Sequence, residues 1–507
     1  ILKGFSLKNL AVSDSLHGQN LIIHRVNSKN GILVLHQGFF KIHSTVCPER
    51  ARRWYLVLGM IHLVGLFVIL LFHRRLASNA IRAYQWLKDE EKLRQFTERV
   101  KTFFHQNLAI IIIAFLLAIF SYGYELFNFT LSIDDETGSF LSASETINHI
   151  LTGRWGSYFL NFFLSPHAVL PYFPILLTLC SLAIVAILFT TSEKFSLSAS
   201  IIFSIIFITH PLHSYYLAFN TPFFGIGMVF ATLAYLIVSH SLTHQLHKHA
   251  LWLLATLLLT FALSIYQALL SFFMVLSAYL IFNQFIIKKD GLKKIWHGTA
   301  VPLALITLGS LFLFKTGDLV VKFLFLYEMP IKKFEYIDSM VFYGTEPLLT
   351  TFMRLAWHIV KFTFGIGSFG GEVGIAQNTV FLMLGISIYR IARDKTNHFS
   401  RKSFAIFLLS AILISAFSVS LAIGNPMPPR TYMAIPLMTA ILWWIAAKNS
   451  GRLLTIGMSI FAMIILLNNT YINTRLFYAS YVSWQADRDL AILQRLAHGL
   501  GQAREFG

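Results

Sequence analysis

The chain has 507 residues, of which 56% are hydrophobic and 13% are charged, and its mean hydropathy is +0.64. This balance excludes an ordinary soluble domain and is typical of a membrane protein with many spanning helices. The formal net charge of +18 is spread over short segments between apolar runs, so no nucleic-acid partner is expected. The two cysteines, Cys47 and Cys180, predict neither a structural disulfide nor a zinc site.

Residues 1–106 are interpreted as an N-terminal extension. The chain begins with Ile rather than Met, so its first residues fit a truncated or mis-started reading frame, and no function is assigned to residues 1–53. Trp54–Phe72 is one possible transmembrane helix. Leu76–His105 is rich in charge and contains helical pairs such as Glu98 with Lys101, which predicts a charged helix on the cytoplasmic side.

Residues 107–507 are expected to form the membrane domain. A spanning helix needs about 20 apolar residues, and the apolar runs here are Asn107–Leu126, Ala168–Thr191, Leu197–Ala218, Pro222–Ser239, Leu251–Phe285, Val301–Phe314, Thr351–Phe369, Ile375–Tyr389, Phe404–Ile423, Tyr432–Ala447 and Leu453–Leu467. Leu251–Phe285 is too long for one span and predicts a hairpin that turns near Tyr266 and Gln267. Thr351–Phe369 contains three basic or imidazole side chains and fits a tilted or membrane-edge helix. The fold class is therefore all-α, polytopic, with about eleven to twelve transmembrane helices.

The basic loops indicate the orientation of these helices. Lys288–Lys294 and Arg390–Lys402 fall on the same side when the spans alternate, and basic loops are typical of the cytoplasmic side. A long amphipathic stretch, Lys315–Leu349, is then expected on the opposite side. The loop that follows Asn107–Leu126 lies on that opposite side as well.

This loop carries an acidic cluster, Asp134, Asp135 and Glu136, which leaves the membrane at the water boundary. Neighbouring carboxylates repel one another, and partial burial raises the pKa of one of them, so it can act as a general base toward a sugar hydroxyl. The alternative is a solvated acidic loop that caps a helix. We treat the cluster as the candidate catalytic group.

Short motifs around this cluster resemble a known family. The aromatic approach Tyr124–Phe129, then Ser-Ile-Asp-Asp-Glu at 132–136, then Gly-Arg-Trp at 153–155, is similar to the serotype-converting O-antigen glucosyltransferases of bacteria and their phages. The similarity extends loosely to Tyr266-Gln267 and to Pro429–Tyr432. It covers residues 107 to the C-terminus, whereas residues 1–106 match nothing recognisable.

The resemblance implies a GT-C-like membrane glycosyltransferase of the bacterial inner membrane, with an active site facing the periplasm. Glucose would pass from undecaprenyl phosphate glucose to an O-antigen (lipopolysaccharide) repeat unit. Asp134 or Asp135 would supply the acidic residue that this class carries in its first outer loop. No cofactor is expected, and a metal is not obligatory, because basic side chains can neutralise a single lipid phosphate.

Five further residues are candidates for substrate binding. Arg154 can contact a phosphate with two donors, and Trp155 fits the membrane interface; an ordinary aromatic-belt anchor is the alternative. Arg430 is a second candidate for the phosphate, or a snorkelling arginine at a helix end. Tyr266 and Gln267 can bind sugar hydroxyls, or simply contact a neighbouring helix.

The histidines are weaker candidates for catalytic or metal-binding residues. His210 and His213 near one helix end fit structural roles better than catalytic ones. The segment His240–His249 contains no carboxylate and scatters its imidazoles, so no metal site is predicted there.

The proposed reaction is an inverting displacement in which a carboxylate deprotonates the acceptor and an arginine stabilises the departing lipid phosphate. The main rival is a multi-pass transporter or flippase of lipid-linked sugars. Such a protein would place ionisable residues near the bilayer midplane on broken helices, whereas the candidates here gather at one membrane face. An O-antigen polymerase, an acyltransferase and a non-catalytic assembly factor are further alternatives.

Overall fold

The computed structural model describes residues 11–13, 20–22, 90–128, 149–164, 172–217, 223–242, 248–287, 289–326, 343, 346–364, 374–393, 399–448 and 451–505. The possible span Trp54–Phe72 lies outside these ranges. The acidic cluster Asp134, Asp135 and Glu136 lies outside them as well, so its catalytic role stays a prediction.

The chain divides into two compact units, Ile1–Phe96 with Phe323–Pro330, and Thr97–Lys322 with Ile331–Gly507. The first contains two short antiparallel strands, β1 (Ala11–Ser13) and β2 (Asn20–Ile22). The described part of the second unit is helical, apart from an isolated bridge between Tyr343 and Glu346. The helical fold class expected for the membrane domain is therefore confirmed.

The helices follow the apolar runs because a helix satisfies its own backbone hydrogen bonds where no water is available. In chain order they are α1 (Glu90–Phe127), α2 (Trp155–Leu164), α3 (Phe173–Ser192), α4 (Leu197–Ile208), α5 (Leu212–Leu217), α6 (Phe224–Ser241), α7 (Lys248–Ile265), α8 (Leu269–Phe282), α9 (Leu292–Ile295), α10 (Val301–Leu326), α11 (Leu348–Phe364), α12 (Gly374–Asn378), α13 (Val380–Arg393), α14 (Phe399–Ser415), α15 (Ser418–Ile423), α16 (Ala434–Ala447) and α17 (Arg452–Glu505). A 3-10 turn, Pro429–Thr431, precedes α16.

In the described part of the chain, 8 helices are long and apolar enough to cross a membrane. Two shorter apolar helices, α4 and α16, accompany them. The expected number of about eleven to twelve spans is not reached by these helices and stays a prediction. The hairpin predicted for Leu251–Phe285 is confirmed, because α7 ends at Ile265 and α8 begins at Leu269.

One predicted span, Leu197–Ala218, is broken between α4 and α5 at residues 209–211. Pro211 has no backbone N–H and disfavours a helical conformation at the residue before it. The backbone carbonyls at the break accept hydrogen bonds from side chains of distant helices. Tyr122 Oη donates to the carbonyls of Ile208 (3.0 Å) and His210 (2.9 Å). Asn473 Nδ2 donates to the carbonyl of Thr209 (2.9 Å). The break is therefore stable inside the bundle.

Two other predicted boundaries are wrong. The run Phe404–Ile423 is divided into α14 and α15. The run Val301–Phe314 does not end at Phe314, because α10 continues to Leu326 and takes in the first part of the predicted amphipathic stretch Lys315–Leu349. The charged residues that suggested an end, Lys315, Asp318 and Lys322, are spaced three and four apart and pair with one another along the helix.

One end of the second unit collects basic groups, and we call it the basic end. Its centre is Glu193, which accepts hydrogen bonds from Tyr235 Oη (2.6 Å), Tyr279 Oη (3.1 Å) and Asn283 Nδ2 (2.7 Å). Nearby, Arg390 Nη1 donates to the carbonyls of Ala446 (2.7 Å) and Lys448 (2.8 Å). The C-terminal ends of α3, α6, α8, α13 and α16 therefore meet there.

The opposite end of the same helices carries the residues predicted to bind substrate, and we call it the site end. Phe224, at the start of α6, packs against Tyr266 with ring centroids 4.5 Å apart, so the α7–α8 turn lies away from Glu193. Arg430 lies just before α16, whose other end is beside Arg390. The fold thus separates Tyr266 and Arg430 from the basic end by the length of the helices.

Candidate functional site

The turn Gly153–Ser157, with the sequence Gly-Arg-Trp-Gly-Ser, is the best defined part of the site end. Gly153 has φ +75°, a conformation that L side chains rarely adopt. A Cβ atom at this position would also lie 3.2 Å from Nε2 of Gln267 and 3.4 Å from Oδ1 of Asp318. Glycine is needed here both for its conformation and for the close approach of two side chains.

The second half of this turn attaches α2 to α7. A Cβ atom on Gly156 would come within 2.1 Å of Oγ of Ser264, so only glycine allows the two helices to approach this closely. Next to it, Oγ of Ser157 donates a 2.9 Å hydrogen bond to the carbonyl of Ile265. Gly156 and Ser157 are both buried. The start of α2 is thereby fixed on the last turn of α7, directly before Tyr266.

Arg154 is brought onto Tyr266 by this arrangement. The Cζ atom of the guanidinium lies 4.7 Å from the centroid of the Tyr266 ring, a cation–π geometry. Nε2 of Gln267 donates a 3.0 Å hydrogen bond to the carbonyl of Thr152, which closes the other side of the turn. Three predicted substrate-binding residues, Arg154, Tyr266 and Gln267, are therefore neighbours, although Gln267 uses one donor to hold the turn.

Trp155 packs against α10. A Cβ atom on Gly317 would lie 2.9 Å from Cζ2 of Trp155, so the indole lies directly on the backbone of that helix. The Trp155 ring also makes an edge contact with Phe159, with centroids 6.3 Å apart. These contacts support a packing role for Trp155, which positions its neighbour Arg154.

The sequence analysis did not identify Asp318, a buried carboxylate that lies beside this turn. Asp318 is 3% exposed, and its carboxylate lies 3.0 Å from Nζ of Lys315 and 3.0 Å from Nζ of Lys322. The spacing of these lysines, three residues before and four residues after an acid, is the signal that could have identified it. Glu125, 2% exposed near the end of α1, is a second buried carboxylate at the site end.

His149 lies just after the acidic loop and just before the turn. Its carbonyl accepts hydrogen bonds from the backbone N–H of Arg154 (2.7 Å) and from Oγ1 of Thr152 (3.2 Å). Burial, reinforced by the charge of Arg154, lowers the pKa of His149 to about 4. The imidazole is therefore neutral at physiological pH.

Arg430 lies on a different element, the 3-10 turn Pro429–Thr431, which packs against α5. The loop before it is held from several sides: Oη of Tyr432 accepts a 2.9 Å hydrogen bond from the N–H of Met427 and lies 2.6 Å from Nε2 of His358. Arg354 Nη2 donates to the carbonyl of Gly424 (2.8 Å) and pairs with Glu346 (2.8 Å). Arg430 therefore lies on a fixed loop of the site end. The elements α5 and α6, and then Tyr266, lie between this loop and Arg154.

The two other histidines of this end have structural roles. Nδ1 of His210 accepts from the N–H of Leu212 (3.3 Å), so Nε2 carries the proton and donates to Oε1 of Gln377 (3.3 Å). His213 Nε2 lies 2.7 Å from the carbonyl of Phe207, and Tyr216 Oη pairs with its Nδ1. Both nitrogens of each ring are therefore engaged within the fold, which supports the structural interpretation.

Within the described ranges, no group of three or more His, Cys, Asp or Glu side chains lies close enough together to hold a metal ion. The segment His240–His249 is described only at its two ends.

Comparison with known proteins places these residues in a family. The family model described as "Glucosyl transferase GtrII" matches residues 123–446, well over half of the chain. The matched part contains Arg154, Tyr266, Gln267, Asp318 and Arg430. No curated protein and no solved structure matches the chain. The chain belongs to the GtrII glucosyl transferase family, and it is a glucosyltransferase with several apolar helices of membrane-spanning length.

Proposed function

We propose that this glucosyltransferase moves glucose from undecaprenyl phosphate glucose to an O-antigen repeat unit at the periplasmic face of the bacterial inner membrane. The observation that carries the proposal is the Arg154 guanidinium stacked on Tyr266 at the site end. A planar cation with several donors suits the phosphate of a lipid-linked sugar. Family membership supplies the transfer of a glucosyl group.

The distribution of charge supports the periplasmic side for this site. The basic end carries Arg390, Arg393, Arg401 and Lys402 around the α13–α14 connection, together with Lys293 and Lys294 in α9. Basic loops are retained in the cytoplasm. Lysines 315 and 322 and Arg354 at the site end are each paired with an acid, Asp318 or Glu346. The basic end would then face the cytoplasm and the site end the periplasm.

The reaction follows from these groups. A carboxylate of the Asp134 and Asp135 pair takes the proton of the acceptor hydroxyl while the oxygen attacks the anomeric carbon of glucose. The bond from that carbon to the phosphate oxygen breaks, and its electron pair leaves with the lipid phosphate. Arg154 or Arg430 stabilises the second negative charge that develops on this phosphate. One displacement of this kind inverts the anomeric configuration, and Glu136 remains to orient the acceptor.

The rival function, a transporter or flippase of lipid-linked sugars, gains less support. The helix break between α4 and α5 resembles the broken helices of transporters. Its histidines, however, are bound through both nitrogens to groups of the protein itself, so neither ring is available to a transported substrate. Arg154 and Asp318 lie at the site end instead of at the middle of the bundle.

The test is the structure of the O-antigen, determined by mass spectrometry and NMR. A strain with a supply of undecaprenyl phosphate glucose would express the wild-type chain, Asp134→Asn, Asp135→Asn and Arg154→Ala. Asp290→Asn at the basic end is the matched control. We expect one added hexose with wild type and control, and its loss with Arg154→Ala and at least one aspartate variant, all proteins being present in the membrane. An O-antigen that wild type leaves unchanged would contradict the proposal.

A further inference from the structure

Asp318 contacts two parts of the site end, a pair of lysines on α10 and the turn that carries Arg154. On one side its oxygens meet ammonium groups: Lys315 Nζ donates to Oδ2 at 3.0 Å, and Lys322 Nζ lies 3.0 Å from both Oδ1 and Oδ2. The carboxylate itself is 3% exposed. A buried carboxylate with two ammonium partners is held in place, and both of its oxygens are occupied, so it is poorly suited to accept a proton from an acceptor sugar.

On its other side Asp318 supports the turn that carries Arg154. Oδ1 would lie 3.4 Å from a Cβ atom on Gly153, and the preceding residue, Gly317, lies under the indole of Trp155. The residues immediately before and after Arg154 therefore both rest on Gly317 and Asp318 of α10. This places Lys322 beside the turn that carries Arg154.

The charges of this group leave an excess of positive charge. Lys315 and Lys322 contribute two positive charges against the single negative charge of Asp318. Lys322 keeps 32% of its side chain exposed, so it can still meet a ligand. A phosphodiester carries one negative charge, and a phosphate monoester carries about −1.5 to −2 at neutral pH. The two lysines and Asp318 therefore offer a positive counter-charge to an anionic phosphate.

We propose that Asp318 is a positioning residue, which holds Lys322 beside Arg154 so that both cations bind the phosphate of a lipid-linked sugar. This inference rests on the proposed function for the identity of the donor. Asp318 itself does not touch the substrate and acts through Lys322. Lys315, with 64% of its side chain exposed, completes the ion pair from the outer side.

The experiment measures binding and transfer separately, with the full-length chain purified in lipid nanodiscs. Binding of undecaprenyl phosphate is titrated by intrinsic fluorescence or calorimetry, with inorganic phosphate as a second probe. Transfer kinetics give kcat and the KM for undecaprenyl phosphate glucose. The variants are Asp318→Asn, Lys322→Ala, Lys322→Arg and the double variant Asp318→Asn with Lys322→Ala. The matched control is Asp290→Asn, which removes a Lys–Asp pair of the same spacing at the basic end (Lys294 Nζ to Asp290 Oδ1, 2.6 Å).

We expect Asp318→Asn and Lys322→Ala each to weaken binding of undecaprenyl phosphate about tenfold and to raise the donor KM by a similar factor. The double variant should bind about as weakly as Lys322→Ala alone, because Asp318 acts through that lysine. Lys322→Arg should restore most of the affinity. Inorganic phosphate should compete with undecaprenyl phosphate in wild type, and Lys322→Ala should weaken this competition, because Lys322 contacts the phosphate group that both ligands share.

Three outcomes would overturn the inference: unchanged or tighter binding in Asp318→Asn, additive losses in the double variant, or an equal loss in Asp290→Asn. Gel filtration and thermal unfolding of each variant show whether a loss comes from misfolding, in which case Lys322→Ala and Lys322→Arg alone decide. Failure of the proposed function is distinct, because a wild-type protein that transfers no glucose can still show the dependence of phosphate binding on Lys322.

Discussion

The guanidinium of Arg154 lies over the ring of Tyr266, with 4.7 Å between Cζ and the ring centroid, although the two residues are 112 positions apart in the sequence and neither belongs to a regular helix. Both stand in short turns, one before α2 and one between α7 and α8. The contact exists because Gly156 and Ser157 fix the start of α2 on the last turn of α7. The pair is therefore a consequence of helix packing around glycine.

The first prediction concerns the chemistry of this pair. Arg154→Ala should lower kcat/KM for glucosyl transfer about a hundredfold or more, since in the proposed reaction this side chain stabilises the charge that develops on the phosphate. Arg154→Lys should recover little, because an ammonium lacks the planar fork and the stacking surface of a guanidinium. Tyr266→Leu should have a smaller effect, as a cation–π contact contributes about 0.5–2 kcal/mol. Steady-state kinetics with a lipid-linked donor measure all three.

A matched control exists for this prediction at the basic end. Arg393 also lies over a tyrosine ring, with Cζ 6.0 Å from the centroid of Tyr389. Arg393→Ala should leave transfer kinetics unchanged. Full activity in Arg154→Lys would show that a single positive charge is sufficient, and would contradict the requirement for a planar guanidinium.

The second prediction concerns the glycine that shapes the turn. Gly153→Ala must either strain the backbone at φ +75° or move Gln267 and Asp318, and it should destabilise the folded protein by about 1–3 kcal/mol. Transfer should fall as well, because Arg154 moves with the turn. Gly457→Ala, in the exposed part of α17 with nothing within 4 Å of an added Cβ, should stabilise the helix by up to about 1 kcal/mol. Thermal unfolding in detergent separates the two; a Gly153→Ala protein as stable as wild type would contradict the prediction.

The sequence was a good guide to the helical class, to the α7–α8 hairpin and to the separation of basic loops from the site end. Apolar runs and the distribution of lysine and arginine determine these features directly. Arg154, Tyr266 and Gln267 were also identified in advance as one set of candidates. Their contacts could not be predicted, because they depend on which glycines permit close helix approach.

Other features were hidden for clear physical reasons. The break after α4 looks like continuous apolar sequence, since the side chains that stabilise it, Tyr122 and Asn473, lie far away in the chain. Asp318 looked like part of a polar exterior stretch, because its ion pairs with Lys315 and Lys322 make a charged segment compatible with a membrane helix. A mean hydropathy counts each charged residue separately and takes no account of the ion pairs between them.

The third prediction uses His149, which lies before the turn at Gly153. The folded-state pKa of His149 is about 4, below the ordinary value of 6.5, so the unfolded chain binds more protons than the folded one between these values. Its contribution to stability is complete above about pH 6.5 and decreases as the pH falls toward 4. His149→Gln, which keeps a polar side chain but cannot ionise, should reduce this dependence.

Unfolding temperatures measured from pH 8 to pH 4 test this prediction. An equal dependence on pH in wild type and His149→Gln would show that other groups cause the acid instability.

The fourth prediction separates stability from catalysis through Glu193. Its carboxylate accepts from Tyr235, Tyr279 and Asn283, which come from two helices that pack around the α3–α4 turn. Glu193→Gln replaces a charged acceptor by a neutral amide with one acceptor oxygen, so at least one hydroxyl loses a charge-assisted hydrogen bond. The cost should be about 1–3 kcal/mol of unfolding free energy. Because Glu193 lies at the end opposite Arg154, the donor KM of the folded enzyme should not change. Thermal unfolding and steady-state kinetics on the same preparation decide between the two effects: a raised donor KM at full stability would mean that the two ends of the bundle are coupled, and that the basic end takes part in substrate binding.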